Sequence, residues 1–237
     1  DLSKSCRDDA KTLCTPVNPG EGRMIKCLRE KRQDIAKPEC RAALLRAMMS
    51  SADNYLMDRP LAAACVDDVE KHCSDIEPGQ GRVHECLREK ESELSPACKK
   101  AEIELEAVEI EDIRLKPRLM EACQLSATRL CADIKPGNGN LLECLQSKAA
   151  DDGMDPKCAK LLRKQSVREN SHLAFNLRVK QACKSQISKL CNVEGDDASI
   201  NEAAVNATVD PFLCLISKRS EIDNKMCSRV LNGSIKR

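Results

Sequence analysis

Residues 65–98 read CVDDVEKHCSDIEPGQGRVHECLREKESELSPAC. Cys65, Cys73, Cys86 and Cys98 stand 8, 13 and 12 positions apart. Pro78-Gly79-Gln80-Gly81 falls midway between the second and third cysteine, cannot continue a helix and reads as a turn. The residues on either side are rich in Ala, Leu, Glu, Lys and Arg, which are good helix formers. The stretch therefore predicts a helix, a turn and a second helix, and a third helix that begins near Cys98.

The same plan runs through the whole chain. The cysteines form four sets: Cys6, Cys14, Cys27, Cys40; Cys65, Cys73, Cys86, Cys98; Cys123, Cys131, Cys144, Cys158; Cys183, Cys191, Cys214, Cys227. The first gap is always 8, and each set ends 25 residues before the next begins. Pro-Gly-X-Gly recurs at 19–22 and 136–139. Leu follows each third cysteine, and Lys31, Lys90, Lys148 and Lys218 each lie four positions after it. A fixed period of this kind marks an array of like units, here 1–57, 58–115, 116–175 and 176–237. The fourth unit lacks Pro-Gly-X-Gly and carries ten extra residues between Cys191 and Cys214. We expect that insertion to extend a surface loop.

No stretch alternates with period two, so strands are not expected. The fold class is all-α: an elongated array of four disulfide-stapled helical repeats. Asp58, Asn176 and Asp210 are placed to cap helices, and Pro60, Pro117 and Pro211 suit first turns. Only one Tyr and two Phe occur in 237 residues. Tyr55 and Phe175 fall in the joins between units, beside Met57, Leu61, Ile113, Leu115, Leu119, Leu173 and Val179. These residues are expected to plug the seams.

Sixteen cysteines pose a choice between disulfides and metal. Zinc sites usually present two thiolates from one tight turn, whereas no two cysteines here are closer than eight positions. His72, His84 and His172 follow no ligand spacing. Neither a metal nor a cofactor is expected. Disulfides imply an oxidising compartment, and the sequons at Asn206 and Asn232 fit one. Eight residues of helix rise ~12 Å, too far for a bridge that needs Cα atoms about 4.4–6.8 Å apart. First-to-second pairing is thus excluded. Two patterns remain, first with third and second with fourth, or a nested one. An antiparallel hairpin favours nesting: Cys6–Cys40, Cys14–Cys27, Cys65–Cys98, Cys73–Cys86, Cys123–Cys158, Cys131–Cys144, Cys183–Cys227 and Cys191–Cys214.

Units of about 60 residues with Pro-Gly-X-Gly before Cys-Leu, and joins such as Glu111-Asp112-Ile113-Arg114-Leu115-Lys116-Pro117 ahead of Glu121-Ala122-Cys123, resemble the cysteine-rich repeats of the Golgi apparatus protein 1 family. That family is also called cysteine-rich fibroblast growth factor receptor and E-selectin ligand. The resemblance covers essentially the whole chain. It implies a luminal or cell-surface glycoprotein, mainly of the Golgi, that binds growth factors, affects their traffic and in some settings presents glycans to a selectin. It also implies a longer parent with a signal peptide and a membrane span outside this chain. No stretch here approaches the ~20 apolar residues of a span, and no signal peptide is apparent.

The 39 Lys+Arg and 38 Asp+Glu nearly cancel, which argues against a nucleic-acid partner. Lys31, Lys90, Lys148 and Lys218, thickened by Arg23, Arg29, Arg82 and Arg88, are candidates for a basic stripe that attracts sulfated glycans or acidic partners. The favoured plainer reading is solvated lysine at helix C-termini. The run Glu102, Glu104, Glu106, Glu109, Glu111, Asp112 is a candidate acidic face for a basic growth factor, with a solvated face again favoured. Asp8-Asp9 and Asp67-Asp68 read as surface charge. The Gly-X-Gly turns follow no strand and are not nucleotide sites. No catalytic residue is expected, because every cysteine belongs to a repeating set. The leading function is a non-enzymatic binding module for secreted protein ligands, and the rival is a structural spacer or subunit of an extracellular assembly.

Overall fold

The structure is a computed structural model that describes residues 1–193 and 210–235. The α-helices are α1 Leu2–Ser5, α2 Arg7–Leu13, α3 Arg23–Glu30, α4 Pro38–Asp53, α5 Arg59–His72, α6 Arg82–Glu89, α7 Pro96–Glu109, α8 Pro117–Leu130, α9 Asn140–Ser147, α10 Pro156–Glu169, α11 Leu177–Cys191, α12 Pro211–Ser217 and α13 Lys225–Ile235. Short 3-10 turns lie between them, and no strand occurs among the described residues. The fold is all-α. Among the described residues no helix is long and apolar enough to cross a membrane.

The caps follow the sequence. Asp58 accepts from Leu61 N–H at the start of α5, and Asn176 from Val179 N–H at the start of α11. Asp210 accepts from Phe212 N–H ahead of α12. Pro stands in the first turn of α4, α5, α10 and α12, where its missing N–H costs nothing. Each Pro-Gly-X-Gly turn runs through three successive residues with positive φ: Gly20, Glu21, Gly22; Gly79, Gln80, Gly81; Gly137, Asn138, Gly139. The last glycine opens the next helix in a left-handed conformation, which costs an L-residue about 1–2 kcal/mol.

All sixteen cysteines are bridged, first to fourth and second to third in every set. The first–fourth pairs have Cα separations of 4.6–4.8 Å. The second–third pairs have 5.9–6.2 Å. Each set closes both of its bridges within itself. The third residue after each first cysteine clamps the loop ahead of the fourth. Asp9 accepts from Ala36 N–H, Asp68 from Ser95 N–H and Oγ–H, and Ser126 from Asp155 N–H. Gln186 donates to the Asp223 carboxylate. Asp9 and Asp68 are therefore buried, which corrects their reading as surface charge. At Asp68 the Ser95 amide and hydroxyl satisfy both carboxylate oxygens, whereas at Asp9 only Oδ1 is bonded and the buried Oδ2 has no hydrogen-bond partner among the described residues.

The chain divides into two compact units. One comprises residues 1–102 and 114–118, the other 103–113 and 119–237. Within the second, two cores surround the disulfides. One gathers Leu119, Leu141, Leu142, Leu145 and Leu162 around Cys123, Cys131 and Cys158. The other gathers Leu173, Val179, Ile187, Phe212, Leu215 and Leu231 around Cys183 and Cys227. A third cluster sets Phe175 and Ala174 against Ile103 and Ala107 of α7 and Ile110 just beyond it. Phe175 fills a join as expected. Met57, at the corresponding place in the first join, is 56% exposed and fills nothing.

Candidate functional site

The second and third Pro-Gly-X-Gly turns are built places, each touching two further pieces of the array. In the first compact unit, Gly81 N–H donates to Asp53 O at the end of α4 (2.8 Å). A Cβ on Gly81 would lie 3.2 Å from Ala52 O and 3.5 Å from Pro117 Cγ. In the second, Gly139 N–H donates to Glu111 O (2.7 Å), and a Cβ there would lie 3.2 Å from Leu177 Cδ2. So these two turns receive the end of the preceding fourth-cysteine helix and meet the start of the next first-cysteine helix. Ion pairs join the same elements: Glu85 with Arg118, and Glu143 with Arg178.

A recess of about 340 Å³ opens beside the third turn. Leu142, Phe175 and Leu177 give it an apolar side, and Asn138, Arg178, Gln181 and Arg229 give it a polar rim. Gly233 and Ser234 also line it, directly after the sequon residue Asn232, which is exposed on α13. Ser234 is held there by Asn176 Nδ2 on its hydroxyl and Asn170 Nδ2 on its carbonyl. The other sequon, at Asn206, lies outside the described residues.

Lys31, Lys90, Lys148 and Lys218 each form the C-cap of the helix that carries the third cysteine. Positive charge there offsets the partial negative charge of the helix end. Lys31 and Lys90 are exposed, whereas Lys148 and Lys218 are half-buried. The Lys218 ammonium donates to Leu190 O. Arg23 and Arg82 fold back on their own turns. Arg23 donates to Asn18 O and Pro19 O, and Arg82 to Gly79 O.

Arg29 and Arg88 do not thicken any stripe. Arg29 is buried against Asp58, and Arg88 donates to Glu102 at 2.9 Å. The acidic run is likewise not a solvated face: Glu102, Glu106, Glu109 and Asp112 are buried. Glu102 also meets His84 Nδ1 at 2.6 Å, and His84 Nε2 lies 3.0 Å from Ser51 O. Glu106 pairs with Arg168, whose guanidinium stacks over Phe175. Burial pushes the Glu102 carboxyl up, but the charges of Arg88 and His84 and their hydrogen bonds outweigh it, and the net shift is downward. Sequence reasoning missed these pairs, because acid and base come from helices 14 to 62 positions apart. The alternation of charge with Ile103, Leu105 and Ala107 in α7 and with Ile110 just after it was the available signal. A helix apolar on more than one face is buried all round.

No cysteine is free, and no group of three His, Cys, Asp or Glu gathers among the described residues as a metal site would. The geometry on offer is that of surfaces and recesses fixed by disulfides.

The chain was compared with known proteins. A family pattern described as Cysteine rich repeat matches residues 1–36, 38–94 and 96–153. The chain belongs to this cysteine rich repeat family. The second and third matches begin at α4 and α7, the fourth-cysteine helices. Among curated relatives, Golgi apparatus protein 1 of Rattus norvegicus is 27% identical over 198 residues, covering 79% of this chain and 17% of its own length. The Homo sapiens protein of that name is also 27% identical over 198 residues, 79% and 16%. A Caenorhabditis elegans homolog is 27% identical over 203 residues, 74% and 18%. The chain thus spans about a sixth of the length of the relatives it matches. No solved structure matches it. This kinship places the cysteine rich repeats of the chain in the Golgi and secretory pathway.

Proposed function

We propose that the chain is a non-enzymatic binding module of a larger Golgi or secretory-pathway glycoprotein, and that it captures secreted protein ligands such as growth factors and so affects their traffic. The observation that carries this reading is the recess beside the third turn. Its apolar side suits a buried anchor, and its rim of Asn138, Arg178, Gln181 and Arg229 suits polar contacts around one. The walls belong to helices fixed by Cys123–Cys158, Cys131–Cys144 and Cys183–Cys227, so little ordering is needed on binding. A glycan on Asn232 would stand beside the opening and limit which partners enter. The exposed Lys31 and Lys90 support a secondary attraction to sulfated glycans.

Surface plasmon resonance of the whole chain against a panel of secreted growth factors and heparan sulfate tests this. Saturable binding of at least one protein is expected. Arg229→Glu with Gln181→Lys should weaken it about tenfold, equivalent to about 1.4 kcal/mol. Lys31→Glu with Lys90→Glu should weaken only heparan sulfate. If no protein binds saturably and the chain instead packs into a larger complex, it is a structural spacer.

A further inference from the structure

The repeats allow equivalent positions to be compared, and the first turn and first join differ from the others in one consistent way. Counted from the cysteines, Met57 corresponds to Leu115 and Phe175. Those two are 2% and 1% exposed, whereas Met57 is 56% exposed. Tyr55 corresponds to Ile113 and Leu173, both buried, and is itself only half-buried. Met24 corresponds to Val83 and Leu141, and Ile25 to His84 and Leu142. All four counterparts are buried, while Met24 and Ile25 are half-buried. Gly81 and Gly139 donate their N–H to the end of a fourth-cysteine helix, but Gly22 N–H has no acceptor among the described residues. A recess of about 320 Å³ lies between these groups, lined by Gly20, Gly22, Met24, Ile25, Met57 and Pro60.

In the second unit the element that buries this place can be named. Ile103 and Ala107 of α7, with Ile110 just beyond its end, pack on Phe175 and Leu177, and the following Glu111 O accepts from Gly139 N–H. One helix thus supplies both the apolar cover and the acceptor. We propose that the open face at Met24, Ile25, Tyr55 and Met57 is the seat of a fourth-cysteine helix from a further repeat of the same kind, placed ahead of residue 1 in the polypeptide. Three features select this occupant. The surface is apolar and concave, so it takes a helix with apolar residues spaced like Ile103, Ala107 and Ile110. It ends at an unsatisfied N–H, so it takes a helix C-terminus. The relatives are about five times as long as this chain, so room exists for further repeats. A second copy of the chain fits worse. The fourth-cysteine helix at the other end of the chain is α13, and the sequence there carries Asn232 and Lys236 where α7 carries Ile103 and Ala107.

The test extends the protein by a copy of its own residues 96–117 joined directly ahead of Asp1, which keeps the 25-residue spacing to Cys6. Cys98→Ser in the added copy leaves the sixteen native cysteines to pair as before. Met57 oxidation by peroxide and amide exchange at Gly22 are read by mass spectrometry. Both should slow by about tenfold or more in the extended chain. Ile103→Asp in the added copy should return both to their original rates. Met57→Glu should leave the melting temperature of the unextended chain unchanged and expose the added segment to protease. If Met57 and Gly22 react alike with and without the extension, the proposal is wrong. It is also wrong if the unextended chain protects Met57 as its concentration rises, because the occupant is then a second copy.

Discussion

At the residue scale, charge and backbone sign decide more than composition suggests. Glu102 lies between His84 and Arg88 in a buried site, and removing a carboxylate from such a set leaves uncompensated charge. Glu102→Ala should therefore lower stability by about 3–5 kcal/mol, measured by denaturant unfolding near pH 7. The pH dependence has a fixed sign. The folded pKa of Glu102 is lowered, so the unfolded chain takes up the proton first on acidification. Its contribution is complete above the ordinary carboxylate value and fades as pH falls through that value and then through the folded one. The stability gap between the parent and Glu102→Gln should shrink below about pH 4. Asp8 and Asp223 are lowered too, chiefly by hydrogen bonds from Lys37 and Lys189, but at exposed positions where such pairs contribute little. Gly22→Ala is a second residue-scale test. A Cβ would lie 2.7 Å from Pro60 Cδ at φ +78°, so the loss should exceed the 1–2 kcal/mol of a left-handed residue alone. The glycines were legible as a turn in the sequence. That the last one also receives Pro60 was not, because the contact crosses a join and depends on how the next helix enters.

Elements were the most legible scale. Asp58, Asn176 and Asp210 cap where their side chains and the following residues indicated. Asp58→Ala should cost more than the usual ~1 kcal/mol of a cap, since it also strands the buried Arg29. A thermal melt of Asp58→Ala against Asp58→Asn separates the two effects, because Asn keeps the cap and loses the charge. Disulfides act at this scale as well. Removing Cys73–Cys86 by paired Ala substitution should cost roughly 3 kcal/mol in the loop-entropy picture, and Cys65–Cys98 somewhat more because its loop is longer. Burial within an element was less legible than its boundaries. The acidic run in α7 reads as a solvated face in one dimension, and only the arrival of Arg88, His84 and Arg168 from other helices makes its burial possible. The same holds for Asp9 and Asp68, whose loop partners lie 27 positions ahead.

At the scale of the whole molecule, the period of the cysteines set the expectation of like units, and the eight bridges close within their own sets. Non-reducing peptide mapping should recover the eight pairs with no alkylatable thiol, and an intermediate scrambled map would contradict the structure. What the period could not foretell is how far one repeat reaches. The last helix of the second set packs on Phe175 and Leu177, at the entrance to the fourth. The second repeat therefore reaches past its neighbour to the entrance of the fourth. In a simple solenoid, stability adds over adjacent pairs and an end can fray one repeat at a time. Coupling over two steps penalises a boundary between folded and unfolded repeats twice, so partly melted arrays become rare. Thermal unfolding of the compact unit of residues 103–113 and 119–237 should be sharper than that of a nearest-neighbour array of equal length.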